Sequence, residues 1–160
     1  MDDSQRIFEF ERDFAGVLYC IPMSVRLKLD NVGVKVSLKQ WHKLTREERA
    51  ELLARACDTE PARAAYRDFL ISAIEMRTGA RPQELAIEAH PEWEDDAHVP
   101  VQVRDYFSAQ GMTAITLAQW AQLTAVQRFA LIKLTRPGHS NENFLPALKE
   151  FGVLADLSAR

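Results

Sequence analysis

The chain has 160 residues, 47% hydrophobic and 27% charged, which suits one compact domain with a real core and excludes a disordered polymer. Its net charge of −3 and isoelectric point near 5.8 argue against nucleic acid or an anionic membrane as the main partner. The start, Met1-Asp2-Asp3-Ser4-Gln5, is acidic and unlike a signal peptide, and no apolar run nears the ~20 residues that cross a bilayer. Two cysteines, Cys20 and Cys57, are too few for a disulfide scaffold, so reduced thiols and a cytoplasmic location are expected.

Along the chain, Ile7–Glu11 alternates like a short strand, while Phe10, Phe14, Val17 and Leu18 are spaced like a helix; the pattern does not decide. Pro22 fits a first helical turn, a helix follows over Met23–Asn31, and Gly33 stops it in a left-handed conformation. Val34-Lys35-Val36 is at most briefly extended, with no real sheet expected. Ser37 then caps a short helix, Leu38–Lys43, and Thr45 with Glu48 forms a capping box that opens Arg46–Cys57. Pro61–Thr78 is a longer helix with Ala62, Ala65, Tyr66, Phe69, Leu70, Ala73 and Ile74 on one face, stopped by Gly79. An acidic, proline-containing linker spans about 80–98. Val101–Gln110, Leu117–Gln122, Ala125–Thr135 and Asn143–Phe151 are the remaining helices, with Gly111 and Gly152 as stops. In the last of them Phe144, Leu145, Leu148 and Phe151 are the apolar face.

The second half repeats the first. Pro22, Val25, Arg26 and Gly33 match Pro100, Val103, Arg104 and Gly111 at an offset of 78 (100 − 22). Leu38, Gln40, Trp41, Leu44, Thr45, Arg49 and Leu52 match Leu117, Gln119, Trp120, Leu123, Thr124, Arg128 and Leu131 at an offset of 79 (120 − 41). Such self-similarity signals an internal duplication. The expected fold is therefore all-α: a single domain, residues 1–160, of two diverged helical repeats at about 21–78 and 99–152, packed face to face. The charge is lopsided. Residues 23–49 carry Arg26, Lys28, Lys35, Lys39, Lys43, Arg46 and Arg49 against Asp30, Glu47 and Glu48, whereas 88–96 carry five acids and no base.

Four groups of residues bear on chemistry. His90, Glu92, Asp95, Asp96 and His98 could ligate zinc or iron, but their spacing fits no standard ligand frame and reads as a solvated linker. Cys20 and Met23 could offer soft sulfurs to copper; a buried pair at the start of a helix is the plainer reading. Leu38–Leu53 has the outline of a helix-turn-helix with bases at Lys39, Lys43, Arg46 and Arg49, but the second copy is nearly uncharged there, where paired readers need both copies basic. Arg26 with Arg104 and Trp41 with Trp120 read as packing residues, the arginines holding a helix end or a carboxylate in the core. No phosphate-binding loop, dinucleotide fingerprint, nucleophile elbow or H-E-x-x-H occurs. No catalytic set, metal site or cofactor is expected.

The stretch Phe8–Trp41 reads F-x-F-E-x-D-F, then L-x-C-I-P-M-x-V-R-x-K-L-D, then G-V-K-V-x-L-x-x-W. It resembles the N-terminal signature of the nitrate-reductase-associated protein family of bacteria and cyanobacteria. The signature positions include Cys20, Pro22, Met23, Arg26, Asp30, Gly33 and Trp41. The resemblance implies a small cytosolic protein encoded near assimilatory nitrate reductase and molybdenum-cofactor genes, without an established catalytic activity. The expected role is a non-catalytic accessory or maturation factor for a molybdenum-dependent nitrate reductase. Its contact surface would be the basic face of the first copy, Arg26, Lys28, Lys35 and Lys39. Rival readings are a molybdopterin-type ligand binder using Arg26, Lys28 and Arg104, a small enzyme using Cys20, and a helix-turn-helix regulator. The oligomeric state is left open.

Overall fold

The structure, a computed structural model, describes residues 3–137 and 142–154, apart from the side chain of Phe14. The chain divides into two compact units, Met1–Ala89 and His90–Arg160. Among the described residues it is built of helices and one two-residue ladder.

In the first unit the undecided N-terminal stretch is helical. A 3-10 turn at Glu9–Glu11 leads into α1, Arg12–Ala15. The buried Glu11 carboxylate explains this: it accepts from the Phe8 N–H at 2.9 Å and from the Met23 N–H at 3.0 Å. One side chain thus closes its own turn and satisfies a free N–H at the start of α2, Met23–Val32. Pro22 lies one position earlier than expected, at the N-cap. Gly33 ends α2 at φ 67°.

Beyond it, β1 (Val34–Lys35) pairs antiparallel with β2 (Gln83–Glu84), Val34 opposite Glu84 and Lys35 opposite Gln83. The expectation of no sheet is thereby corrected: the partner strand comes from the linker, about fifty residues downstream, where no local pattern could announce it. Between these strands lie α3 (Leu38–Lys43), α4 (Arg46–Ala54) and α5 (Glu60–Thr78). The Ser37 hydroxyl and the Gln40 amide form a complete capping box on α3. Thr45 caps α4 by accepting from the Glu48 N–H at 3.1 Å, but the Glu48 carboxylate bonds Arg77 instead of closing the box. α4 ends at Ala54, three residues short of the expected Cys57. On α5 the buried face is Tyr66, Leu70, Ile71, Ala73 and Ile74; Ala65 is exposed. These side chains close a core with Val25, Leu29, Trp41 and Leu52.

The second unit contains α6 (Val101–Ala109), α7 (Leu117–Gln122), α8 (Ala125–Leu134) and α9 (Phe144–Glu150). Thr116 with Gln119 and Thr124 with Gln127 make complete capping boxes. Buried Phe107 and half-buried Tyr106 of α6 meet Phe144 of α9 edge to face, with centroids 5.1 and 4.7 Å apart. Leu145 is exposed and Ala147 takes its expected place in the interior.

The linker's candidate ligands His90, Glu92, Asp95, Asp96 and His98 are all exposed, as a solvated segment requires, but the segment is anchored. Pro91 is buried, and a 3-10 turn at Glu92–Glu94 packs on α8, with Trp93 edge-on to Phe129 at 5.1 Å.

Candidate functional site

The two tryptophans read as packing residues are indeed fully buried, and each indole N–H donates to an upstream carbonyl. Trp41 Nε1 donates to Leu18 at 2.8 Å, and Trp120 Nε1 to Asp95 at 2.9 Å. The arginine eight residues after each tryptophan closes the same corner. Arg49 donates to the carbonyls of Trp41 (3.1 Å), His42 (3.1 Å), Leu44 (3.0 Å) and Leu18 (3.4 Å). Arg128 donates to Trp93 (2.7 Å), to Trp120 (3.5 Å) and to Leu123. A guanidinium suits this work because its N–H groups are fixed in a fork and stay charged. By sequence Arg49 pairs with Arg128 in the repeat, but its charge places it among the bases of the helix-turn-helix outline. The usable signal was its identical spacing from tryptophan in both halves.

Arg26 and Arg104 are not core residues. Both are exposed, and Arg26 Nε donates to the Ile21 carbonyl at 3.1 Å, beside the start of its own helix. Lys28 leaves the expected surface altogether. It is only 3% exposed, its ammonium donates to the Leu53 carbonyl at 2.7 Å, and it lies over the Tyr66 ring at 5.8 Å. The same pocket of the core holds Cys57, whose thiol burial pushes up to about 11, and Tyr66, whose hydroxyl donates to Leu52 at 2.7 Å and is likewise raised by burial. A thiol so protonated is a poor nucleophile at neutral pH.

Lys35 and Lys39 are exposed. Lys35 stands in the ribbon opposite Gln83, whereas Lys39 lies on α3. Arg26 and α3 converge on the loop 18–21: Arg26 bonds Ile21, Trp41 bonds Leu18, and His42 Nε2 is 2.7 Å from the Tyr19 carbonyl. Lys43 and Arg46 extend the exposed bases beyond Lys39. Of the helix-turn-helix bases, Arg49 is turned inward onto carbonyls.

Cys20 and Met23 are half-buried rather than buried, and Cys20 is a free thiol. No group of three metal-ligating side chains occurs among the described residues. In the acidic segment, Asp95 is held below its ordinary value chiefly by the Ala97 N–H, and by His98, whose Nδ1 is 3.0 Å from the carboxylate. A shallow groove of about 460 Å³ runs beside α5, lined by Val32, Arg63, Arg67, Glu84, Leu85 and Ile87. Arg67 is spent on the Val32 carbonyl and Glu84. No helix of the described residues is long and apolar enough to cross a membrane.

Comparisons with curated proteins and with solved structures find no match. The sequence model of one family, described as conserved nitrate reductase-associated protein, matches residues 7–151. The match spans both units and the signature that begins at Phe8, and the family's name indicates association with nitrate reductase. The chain belongs to the conserved nitrate reductase-associated protein family.

Proposed function

We propose that this chain is a non-catalytic accessory or maturation factor for a molybdenum-dependent assimilatory nitrate reductase, acting in the cytoplasm by protein–protein contact. The family's name, which points to association with nitrate reductase, supports the choice of enzyme. The observation that supports a contact role is the uneven charge of two matched segments. Residues 31–46 carry Lys35, Lys39, Lys43 and Arg46 and no acid, and all four bases are exposed. Residues 110–125 carry no charged residue at all. The reading takes 21–78 and 99–152 as diverged copies of one module. The shared tryptophan and arginine hold the framework in each, and the first copy alone carries the recognition charge. Arg26, Lys35 and Lys39 belong to that surface; Lys28 does not. Complementary charge on the enzyme would speed and orient the encounter.

Deleting the gene and assaying nitrate reductase tests this, with enzyme abundance and cofactor content measured separately. A drop in activity or cofactor loading restored by the wild-type gene is expected. Unchanged activity, abundance and loading would end the proposal.

A further inference from the structure

Between α1 and α2 the chain passes through Gly16–Cys20, and Leu18 sits at φ 59°. A left-handed leucine is strained, so something must hold it there. Its side chain is buried, and its carbonyl takes hydrogen bonds from both Trp41 and Arg49. With Leu18 turned inward, its two neighbours face solvent: Val17 is 71% exposed and Tyr19 59%. The Tyr19 ring lies against the His42 imidazole, centroids 4.4 Å apart. The Tyr19 carbonyl can only accept, so His42 Nε2 carries the hydrogen that bonds it. Leu38, four residues before His42 on the same face of α3, is also exposed. A pinned, strained loop thus displays an apolar and aromatic knuckle, bordered by Arg26 and by Lys39 and Lys43 of α3.

The framework does not require this knuckle. In the second unit Ala97 and Ala121 stand at the positions matching Tyr19 and His42 (19 + 78; 42 + 79), yet Trp120 and Arg128 make the same kind of corner. Tyrosine beside arginine is a common composition of interface hot spots, and a rim of bases selects the sign of the partner.

We propose that Val17, Tyr19, Leu38 and His42, with Lys39 and Lys43, are the docking surface for a protein that presents an acidic face around an apolar pocket for the Tyr19 ring. This rests on the reading of the chain as a contact protein, but not on which protein it contacts. The test places a photoreactive benzoyl-phenylalanine at position 19, with position 97 as the control, and irradiates cells. The captured protein is then purified and titrated against wild type, Tyr19→Ala and the double variant Lys39→Glu/Lys43→Glu.

The expected result is one protein captured at 19 and not at 97. Its binding should weaken with salt and fall roughly tenfold or more in each variant, at unchanged thermal stability. The double variant changes only exposed side chains, so it decides the matter if Tyr19→Ala folds poorly. If the captured protein is nitrate reductase, both readings stand. If it is another acidic protein, the docking surface stands and the nitrate reductase assignment falls. No capture, equal capture at both positions, capture of nucleic acid, or binding indifferent to the double variant overturns the docking surface.

Discussion

Residues 31–46 and 110–125 do the same structural work in their respective units. Each runs from the end of one helix, through a left-handed glycine, into a capped six-residue helix and on to the next cap. Each buries a tryptophan whose indole N–H is taken up by an upstream carbonyl. Yet one segment carries four bases and the other none. Framework and surface are therefore separable in this chain: hydroxyl caps, tryptophan and arginine suffice to build the corner, and the charges of the first unit are additional to it.

The sharpest way to test the shared framework is to remove it from each unit in turn. Trp41→Ala and Trp120→Ala should each cost about 3–5 kcal/mol, measured by denaturant unfolding, because each leaves a cavity and takes the indole N–H from a carbonyl. A loss in one unit but not the other would break the comparison. Arg49→Lys and Arg128→Lys come next, at about 2–3 kcal/mol each, since an ammonium cannot span the carbonyls that the guanidinium fork reaches. Retention of full stability by either lysine variant would show that charge alone holds the corner.

The two glycine stops should diverge. Gly33 and Gly111 both have positive φ, so alanine at either is strained by roughly 1 kcal/mol. At Gly33 a Cβ would also stand 2.6 Å from the Leu85 carbonyl oxygen and 2.8 Å from Ile87, whereas nothing lies within 4 Å at Gly111. Gly33→Ala should therefore lower the melting temperature clearly more than Gly111→Ala; equal losses would mean that the ribbon yields freely.

The smallest effect is pH-dependent. Burial alone would raise the Glu48 carboxyl, but the hydrogen bond and charge of Arg77, together with Thr45, bring it below its ordinary value. A depressed folded value gives stability that is complete above the ordinary carboxylate range and is lost as pH falls through the folded value. Glu48→Gln should flatten that part of the acid limb of a stability–pH curve; an unchanged limb would remove the pair from the account.

How much of this could be read from residues alone follows physical range. The caps at Ser37, Thr45, Thr116 and Thr124 were legible, because a hydroxyl and the N–H three residues later are neighbours in sequence. The bounds Leu38–Lys43 and Leu117–Gln122 followed from them. Pairing of Val34 with Glu84, packing of Trp93 on Phe129 and burial of Lys28 on Leu53 were not legible, since each depends on a partner far along the chain. Lys28 is instructive for the site. Counted by charge it belongs with Lys35 and Lys39, and only packing against Tyr66 and Cys57 withdraws it. The knuckle at Tyr19 was missed for a similar reason: nothing local announces that Leu18 is left-handed.

The most direct measurement is the affinity of purified nitrate reductase for this chain over a range of salt, with two matched double variants beside wild type. Lys39→Glu/Lys43→Glu reverses the exposed charge of the first unit, and Ala118→Glu/Gln122→Glu adds the same carboxylates at the corresponding exposed positions of the second. A salt-sensitive complex is expected, weakened roughly tenfold or more by the first pair and untouched by the second. No complex at low salt, or equal losses from both pairs, would contradict it.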